Sequence, residues 1–346
     1  MHSCGPLNGA YGHWGKRAMK APYYIGIDIG ATWIKAGVVS RDGTLLKKSQ
    51  FATREVRSPS HFLSISKDTV TELLKDNDVR RDDLGGIGVG APGWVEHLKG
   101  VVRELTNIPG WHDVPLVAQF DELFGLKSYV DNDANVMAVG EMVYGAGRGR
   151  KHFICLTLGT GVGGAVVVNG EVYRGNNGLA GEIGHMTIDL NGPVCACGAR
   201  GCLERYVGNR YIVENALRRL KEVSPRQSLI MELAGGEPQR ITPKMLSEAA
   251  AKGDEVAKEV WTETGYTLGA ALAVLVNLLN PECFIIGGGV AKAGAVLFDP
   301  MRRALAELAM NRLGETTPVL AAQLEEEAGI IGAATFAMNC RERTPS

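Results

Sequence analysis

One pattern occurs twice in this chain of 346 residues: an apolar, β-prone segment, a turn of small residues, a second apolar segment and an Asx-Gly turn. The first copy starts at Tyr23 with YYIGIDIGATWIKAGVVS and has its Asp-Gly turn at 42–43. The second starts at His152 with HFICLTLGTGVGGAVVV and has its Asn-Gly turn at 169–170. Because Asx-Gly between β-prone segments favours a hairpin, each copy predicts a three-stranded meander.

The segments after the two copies predict an α/β fold. After the first copy we expect helices at 59–76 and 134–144 and strands at 86–90 and 129–131. After the second we expect helices at 207–223, 243–252, 254–279 and 298–312 and a strand at 283–286. The duplication indicates two α/β domains around a cleft, and the alternative is two unrelated meanders in a mixed fold. The predicted boundaries are a flexible tail at 1–21, a small domain at 22–131 plus 324–346, and a large domain at 132–323.

Composition narrows the possible partners. Lys and Arg number 37 against 38 Asp and Glu, so no general electrostatic attraction to nucleic acid is expected. The longest apolar segment, 268–279, is interrupted by Gly269 and Asn277 and predicts a buried helix, not a membrane span. The N-terminal residues lack an apolar signal segment, so we expect a cytoplasmic protein with reduced cysteines.

Glycine provides 45 of the 346 residues, which is nearly twice its typical share of about 7%. The segment from Gly159 to Gly164 matches G-x-G-x-x-G but runs into a strand, so it fails the dinucleotide-binding pattern. Glycine turns after strands can still bring backbone N–H groups close to phosphate oxygens. We therefore predict phosphate contacts at the turns near Thr32 and Thr160, and a nucleotide's base and ribose at Gly287–Gly289. The alternative for each loop is an ordinary turn.

Two acidic positions suggest phosphoryl chemistry. Asp28 lies inside an apolar strand, where a carboxylate is costly to bury unless it serves a metal ion or bonds to turn amides. The cluster Asp131-Asn132-Asp133-Ala134-Asn135 lies between a strand and a helix. Asn132 or Asp133 could be a helix cap there, or a carboxylate could accept the proton of a substrate hydroxyl.

A cysteine cluster is the sharpest local signal. Cys195, Cys197 and Cys202, with His185 upstream, provide the ligands of a closed tetrahedral zinc site, which indicates a structural metal. The alternative is a disulfide. The flanking carboxylates and the imidazole form a hydrogen-bonding set suited to a polyol. These carboxylates are Glu182 and Glu204.

Together these motifs resemble the ROK family of sugar kinases and repressors, within the actin-like, hexokinase-type ATPase superfamily. The resemblance extends from Tyr23 to Ala337. It rests on GIDIGATWIKAGVV, GVGAPGWV, TNIPGW, DNDANVMAVGE, LTLGTGVGG, GEIGH, CACGARGCLE and FIIGGGVAKAG.

The resemblance implies a duplicated ribonuclease-H-like (actin-like ATPase) fold and the activity of an ATP-dependent glucokinase. Asp133 would be the general base that takes the 6-hydroxyl proton, and Asp28 would coordinate Mg²⁺ directly or through water. ATP would be bound by residues in three glycine loops: Gly30, Thr32 and Lys35; Thr157, Gly159, Thr160 and Gly161; and Gly287, Gly288 and Gly289. The sugar hydroxyls would be held by Asn107, Asn132, Asp133, Glu182, His185 and Glu204. One ring nitrogen of His185 would bind the structural Zn²⁺ and the other would face the sugar.

Several alternatives stay open at this point. The hexose could be N-acetylmannosamine, fructose, mannose or allose instead of glucose, and the donor could be polyphosphate. The chain could also be a non-catalytic sugar-sensing regulator. The family's DNA-binding repressors carry a winged-helix domain before the first phosphate motif, whereas only 22 residues precede Tyr23 here. The resemblance also suggests a homodimer or higher homo-oligomer.

Overall fold

The computed structural model describes residues 22–105, 108–222 and 228–343. The predicted flexible tail at 1–21 and the predicted sugar ligand Asn107 lie outside the described residues. The strands are β1 (Tyr23–Ile29), β2 (Trp33–Ser40), β3 (Leu45–Ala52), β4 (Leu84–Ala91), β5 (Trp94–Glu96), β6 (Val101–Glu104), β7 (His112–Val114), β8 (Ser128–Asn132), β9 (Phe153–Leu158), β10 (Val162–Val168), β11 (Glu171–Tyr173), β12 (Cys283–Gly287) and β13 (Val319–Ala321). The helices are α1 (Pro59–Asp76), α2 (Leu116–Phe124), α3 (Asp133–Tyr144), α4 (Glu204–Val207), α5 (Asn209–Leu220), α6 (Leu229–Leu233), α7 (Pro243–Ala251), α8 (Glu255–Leu279), α9 (Ala295–Leu308), α10 (Leu313–Thr316) and α11 (Ala328–Arg343).

Two five-stranded sheets share one topology. The first has the order β3-β2-β1-β4-β8 and the second the order β11-β10-β9-β12-β13. In each, the three strands of a meander are followed by two parallel strands, added next to the meander's first strand. The predicted α/β fold with a duplicated unit is therefore confirmed, and the alternative of two unrelated meanders is wrong.

Glycines on the first sheet allow the last helix, α11, to pack closely against it. A Cβ atom at Gly26 on β1 would overlap the carbonyl of Ile330, and one at Gly88 on β4 would overlap the carbonyl of Ala333. Both carbonyls belong to α11. Because only glycine allows such close approach, these positions fix where α11 lies on the sheet.

A third, three-stranded sheet of order β5-β6-β7 was not predicted from the sequence. Its strands have three or four residues each. Strands this short carry too few residues to show an alternating pattern, so they are defined by their pairing and not by their sequence.

The chain divides into two compact units. The first contains the described residues up to Lys151, Ala165–Gly181 and those from Gln323 onward; the second contains His152–Gly164 and Glu182–Ala322. The predicted boundary at 131/132 placed α3 in the larger domain, whereas α3 belongs to the first unit. The physical reason is its packing on α11, where Gly140 lies against the backbone of Gly332.

Helix α8 forms the centre of the second unit. The Asp254 side chain accepts a hydrogen bond from the Ala257 N–H at 2.8 Å and caps the helix. Among the described residues, α8 alone is long and apolar enough to cross a membrane, yet half of its most apolar window is buried within the protein. This burial is typical of a core helix, as the sequence predicts for 268–279.

Candidate functional site

The turn between β1 and β2 is tied to the end of β3. Gly30 N–H donates to the Trp33 carbonyl at 3.1 Å, and Thr53 N–H donates to the Thr32 carbonyl at 3.0 Å. The Thr53 hydroxyl, whose residue is 1% exposed, donates to the Gly30 carbonyl at 2.8 Å. These bonds leave the Thr32 side chain on the surface, as a phosphate contact requires.

Asp28 precedes this turn, on the central strand of the first sheet. It pairs with Lys35 on β2 and with Gly90 on β4. Burial raises the pKa of the Asp28 carboxyl, and the charge of Lys35 opposes that rise. A side chain at Gly329, near the start of α11, would overlap this carboxylate. The backbone of α11 therefore lies directly against Asp28.

The predicted base lies where β8 ends and α3 begins. The Asn132 Oδ1 accepts a hydrogen bond from the Ala134 N–H at 2.9 Å, so Asn132 is the helix cap. Its Nδ2 donates to the Gly93 carbonyl at 3.3 Å. Asp133 is the first helical residue, is partly exposed, and also accepts from the Ala134 N–H, at 2.9 Å. The open choice of cap between these two neighbours is thereby resolved in favour of Asn132.

The turn between β9 and β10 is held by helices instead of a strand. Gly159 N–H donates to the Gly161 carbonyl, and Asn209 N–H, at the start of α5, donates to the Gly159 carbonyl, both at 2.9 Å. The Val162 N–H donates to Glu204 Oε2 on α4, also at 2.9 Å. Thr160 is exposed at the tip of this turn.

The third glycine loop begins next to the second turn. Gly287 pairs with Thr157 across β12 and β9. Gly288 has φ +87°, and a Cβ atom there would overlap the Leu158 backbone, so the position accepts only glycine. Gly289 is exposed with open space around it. The loop thus presents bare backbone at its surface, which suits contact with a flat ligand.

The cysteine cluster assembles as the sequence predicts. The ligand atoms of His185, Cys195, Cys197 and Cys202 all lie within 4.8 Å of one another. The distance from Cys195 Sγ to His185 Nδ1 is 3.7 Å, and that from Cys197 Sγ to Cys202 Sγ is 3.6 Å. Thiolates bind Zn²⁺ at about 2.3 Å, which places the corners of a tetrahedral site about 3.7 Å apart. The four donors fit a tetrahedral metal ion.

The electrostatics of the cluster also suit a cation. Burial raises the pKa of the Cys202 thiol to about 12, and its contacts with Cys197 and Cys195 add to the rise. A buried thiol in this state is protonated at neutral pH, whereas a coordinated divalent ion deprotonates it outright. All four cysteine and histidine donors can therefore be satisfied together by one metal ion.

Two carboxylates adjoin the cluster in the second unit. Partial burial raises the pKa of Glu182, an effect that His185 opposes and Glu204 reinforces. The Nδ1 atom of His185 faces Cys195. Glu204 starts α4 directly after Cys202 and Leu203, and the Leu203 N–H donates to the Met186 carbonyl at 2.9 Å. The cysteine cluster and the second glycine turn are thus connected through Glu204.

The structure groups the predicted residues within each unit. In the first unit lie Asp28, Gly30, Thr32, Lys35, Asn132 and Asp133. In the second lie Thr157, Gly159, Thr160, Gly161, Glu182, His185, Cys195, Cys197, Cys202, Glu204, Gly287, Gly288 and Gly289. Sequence reasoning missed Thr53, Asn209 and Gly329, because their contacts with the motifs come only from the folded chain. The available signal for Gly329 was its position at the start of a helix, two residues after three consecutive glutamates.

A family model described as the ROK family matches residues 24–339. The chain belongs to the ROK family. The glucokinase of Thermotoga maritima is 37% identical over 326 residues, which cover 90% of this chain and 96% of that protein. A crystal structure of a ROK family glucokinase from Streptomyces griseus in complex with glucose and AMPPNP has a TM-score of 0.80 and 36% identity, covering 92% of this chain and 99% of that one. The resemblance and the actin-like ATPase fold predicted from it are confirmed.

The family also includes regulators. The xylose repressor of Bacillus subtilis is 27% identical over 320 residues, which cover 92% of this chain and 78% of the repressor. The repressor therefore has a larger part of its length outside the shared region than the glucokinases have.

Proposed function

We propose that this ROK protein is a glucokinase that transfers the γ-phosphoryl group of ATP to the 6-hydroxyl of glucose. The observation that carries the proposal is its likeness to glucokinases over almost their whole length, at 96% of the Thermotoga maritima enzyme and 99% of the Streptomyces griseus chain. The Streptomyces griseus protein was crystallised with glucose and AMPPNP, which supports a hexose and ATP as substrates here.

In this proposal Asp133 is the general base. Its position at the first residue of α3 keeps the carboxylate partly exposed, while the Ala134 N–H holds Oδ1. Asp133 takes the proton of the 6-hydroxyl as that oxygen forms its bond to the γ-phosphorus. The bond from the γ-phosphorus to the bridging oxygen breaks, and ADP leaves with the electron pair.

The nucleotide would be bound by the three glycine loops. Asp28 supplies oxygen ligands of the kind that Mg²⁺ prefers, directly or through water. The Gly30 and Thr32 turn with Lys35, and the Thr157–Gly161 segment, would contact the phosphates; Gly287–Gly289 would face the adenosine. When bound, Mg²⁺ neutralises charge on the phosphate oxygens. Lys35 donates to the Glu326 carbonyl at 3.4 Å, a long bond that is easily exchanged for one to a phosphate.

The sugar hydroxyls would be bound by Asn132, Glu182, His185 and Glu204, and by Asn107. In the described structure the Asn132 amide already caps α3 and contacts Gly93, so its bond to the sugar would use the remaining amide hydrogen. Since His185 Nδ1 faces the cysteines, Nε2 would face the sugar. The same set of carboxylates and amides also suits N-acetylmannosamine, fructose or mannose, and these are the alternative substrates.

The metal of the cysteine cluster would be a structural Zn²⁺. His185, Cys195, Cys197 and Cys202 would fill all four positions, so no site remains for a catalytic water. The ion would hold His185 in place and, through Leu203, the start of α4 with Glu204. We also propose a cytoplasmic homodimer or higher homo-oligomer without nucleic-acid or membrane partners.

The second candidate is a sugar-sensing regulator without catalysis, which the repressor relatives favour. A panel of hexoses assayed for ADP release, with ATP and with polyphosphate as donors, separates the candidates. We expect the highest kcat/KM with glucose and ATP. Sugar binding without turnover on any pair would establish the regulator instead.

A substitution tests the base. Asp133→Ala should lower kcat by about 10²-fold or more, because the proton has no acceptor. Glucose binding, measured by calorimetry, should remain detectable. Asp68→Ala, which removes an exposed carboxylate from α1, is the matched control and should leave kcat unchanged. Near-normal turnover of Asp133→Ala would remove Asp133 as the base.

A further inference from the structure

A buried carboxylate directly precedes the proposed base. Asp131 on β8 is 2% exposed, and a charge in such a position is costly unless it is paired and hydrogen-bonded. Its Oδ1 accepts from the Asn132 N–H at 2.8 Å and from Asn135 Nδ2 at 3.0 Å. Its Oδ2 accepts from two nitrogens of Arg174, Nε at 2.8 Å and Nη2 at 2.5 Å. Each oxygen of the carboxylate thus has two donors.

Arg174 is itself fixed from several sides. It follows β11, and its side chain is 20% exposed. Its Nη1 donates to the Val172 carbonyl at 3.0 Å, and its guanidinium lies over the Phe336 ring of α11 at 5.6 Å from the centroid. The flat fork of a guanidinium is well suited to hold a carboxylate in one orientation. Arg174 therefore sets the direction of the Asp131 side chain.

From Asp131 the contacts continue to Asp133. The bond from Asn132 N–H to Asp131 Oδ1 orients the peptide that joins these two residues. The Asn132 side chain then caps Ala134, whose N–H also donates to Asp133 Oδ1. Arg174, Asp131 and Asp133 all belong to the first unit. One continuous set of hydrogen bonds links the guanidinium to the carboxylate that would take the proton.

We propose that Arg174 is a positioning residue for the phosphoryl transfer, acting through Asp131 to hold Asp133 in the geometry that accepts the hydroxyl proton. The inference rests on the proposed kinase function. Arg174 touches neither sugar nor nucleotide in this scheme. Its loss leaves Asp131 as a buried charge without its cation, and the junction of β8 and α3 loses its fixed orientation, while the residues proposed to bind substrate outside that junction stay in place.

The test compares three variants of the full chain by steady-state kinetics. Arg174→Met should lower kcat about 30-fold, leave KM for ATP within twofold and raise KM for glucose far less than it lowers kcat, because a misplaced proton acceptor impairs turnover more than binding. Arg174→Lys keeps the charge without the fork and should lose about fivefold. Added guanidinium should restore at least part of the kcat of Arg174→Ala.

The matched control is Arg219→Met in the second unit. The Arg219 side chain is 23% exposed and so resembles Arg174 in burial, but its carboxylate partners, Glu259 and Glu263, are exposed, whereas Asp131 is buried. We expect the kcat of Arg219→Met to equal that of the unmodified chain. If Arg174→Met does not fold, the test uses Arg174→Lys and the double variant Asp131→Asn with Arg174→Met, compared with Asp131→Asn alone. Because both residues act in one network, the double variant should lose no more kcat than the most impaired single variant that folds.

Three results would overturn the inference: a kcat of Arg174→Met within threefold of the unmodified chain, a parallel rise in KM, or losses that multiply in the double variant. Turnover of the unmodified chain with glucose and ATP is measured in the same series. Its absence would reject the kinase proposal and this inference together, whereas turnover that ignores Arg174 would reject this inference alone.

Discussion

The two glycine turns occupy the same place in two copies of one unit, yet they are built differently. Two residues before the first glycine, the first copy has Asp28 and the second has Thr157. The first turn is held by Thr53 at the end of β3. The second is held by Asn209 and by the carboxylate of Glu204, both on helices that follow the cysteine cluster.

This difference gives the two copies of one framework different chemistry. A carboxylate within a strand is costly to bury, so it is expected only in the copy where a cation compensates it. The second copy keeps an uncharged hydroxyl in that place and receives its carboxylate from a distant part of the chain. In the proposed kinase, the first turn would serve the metal-bound phosphates, and the second would connect nucleotide contacts to sugar contacts.

The largest effect is expected from substituting Asp28, which has Thr157 at the matching position of the second copy. Asp28→Asn should lower kcat/KM by about 10²–10³-fold, because an amide is a weaker ligand for the Mg²⁺ that would neutralise phosphate charge in the transition state. Thr157→Val should lower it less than tenfold, since one hydroxyl among several phosphate contacts is removed. Steady-state kinetics at varied Mg²⁺ concentration measures both, and Asp28→Asn should also raise the Mg²⁺ concentration needed for half-maximal rate. Equal losses in the two variants would contradict the division of tasks.

A second prediction sharpens the role of the cysteine cluster. Cys197→Ser removes an exposed ligand, so its direct packing cost is small. We expect loss of the bound zinc, measured by metal analysis, and loss of activity with it, because His185 and Glu204 are no longer held. Cys340→Ser, on α11 and outside the cluster, should retain the metal. A zinc-free Cys197→Ser enzyme with normal turnover would disprove a structural role for zinc.

The smallest expected effect concerns the anchor of the first turn. Thr53→Val leaves the Gly30 carbonyl without its hydroxyl donor and should reduce the free energy of unfolding by about 1 kcal/mol. Thr71→Val removes an exposed helical hydroxyl bond to the Lys67 carbonyl and is the matched control, with an expected change below about 0.5 kcal/mol. Urea titration measures both. Equal stability of the two variants would show that Thr53 does not hold the turn.

Much of the fold could be predicted because its signals are local. Helix α1 begins as expected at Pro59, where the Ser58 side chain accepts from the His61 N–H. The repeated strand–turn–strand pattern is also local, and it predicted the duplicated unit. The boundary that puts α3 in the first unit could not be predicted, because it depends on α3 packing against α11.

The site shows the same limit. The cysteine cluster was predictable because its ligands follow each other closely in sequence and their chemistry is specific. Arg174 was not, because its partner Asp131 lies 43 residues away and an arginine alone in the sequence resembles an ordinary surface charge. Gly329 contacts Asp28 only in the folded chain.

The seating of α11 on the first sheet has a consequence for folding. Gly26 on the first strand contacts Ile330 on the last described helix, and about 300 residues separate them, so most of the chain is synthesised after Gly26 and before Ile330. Contacts so distant in sequence require a long loop to close and slow the folding of a domain. During synthesis, the face of β1 and β4 that carries these glycines stays uncovered until α11 has been made. The first unit is therefore the first to be started by the ribosome and the last whose chain is complete.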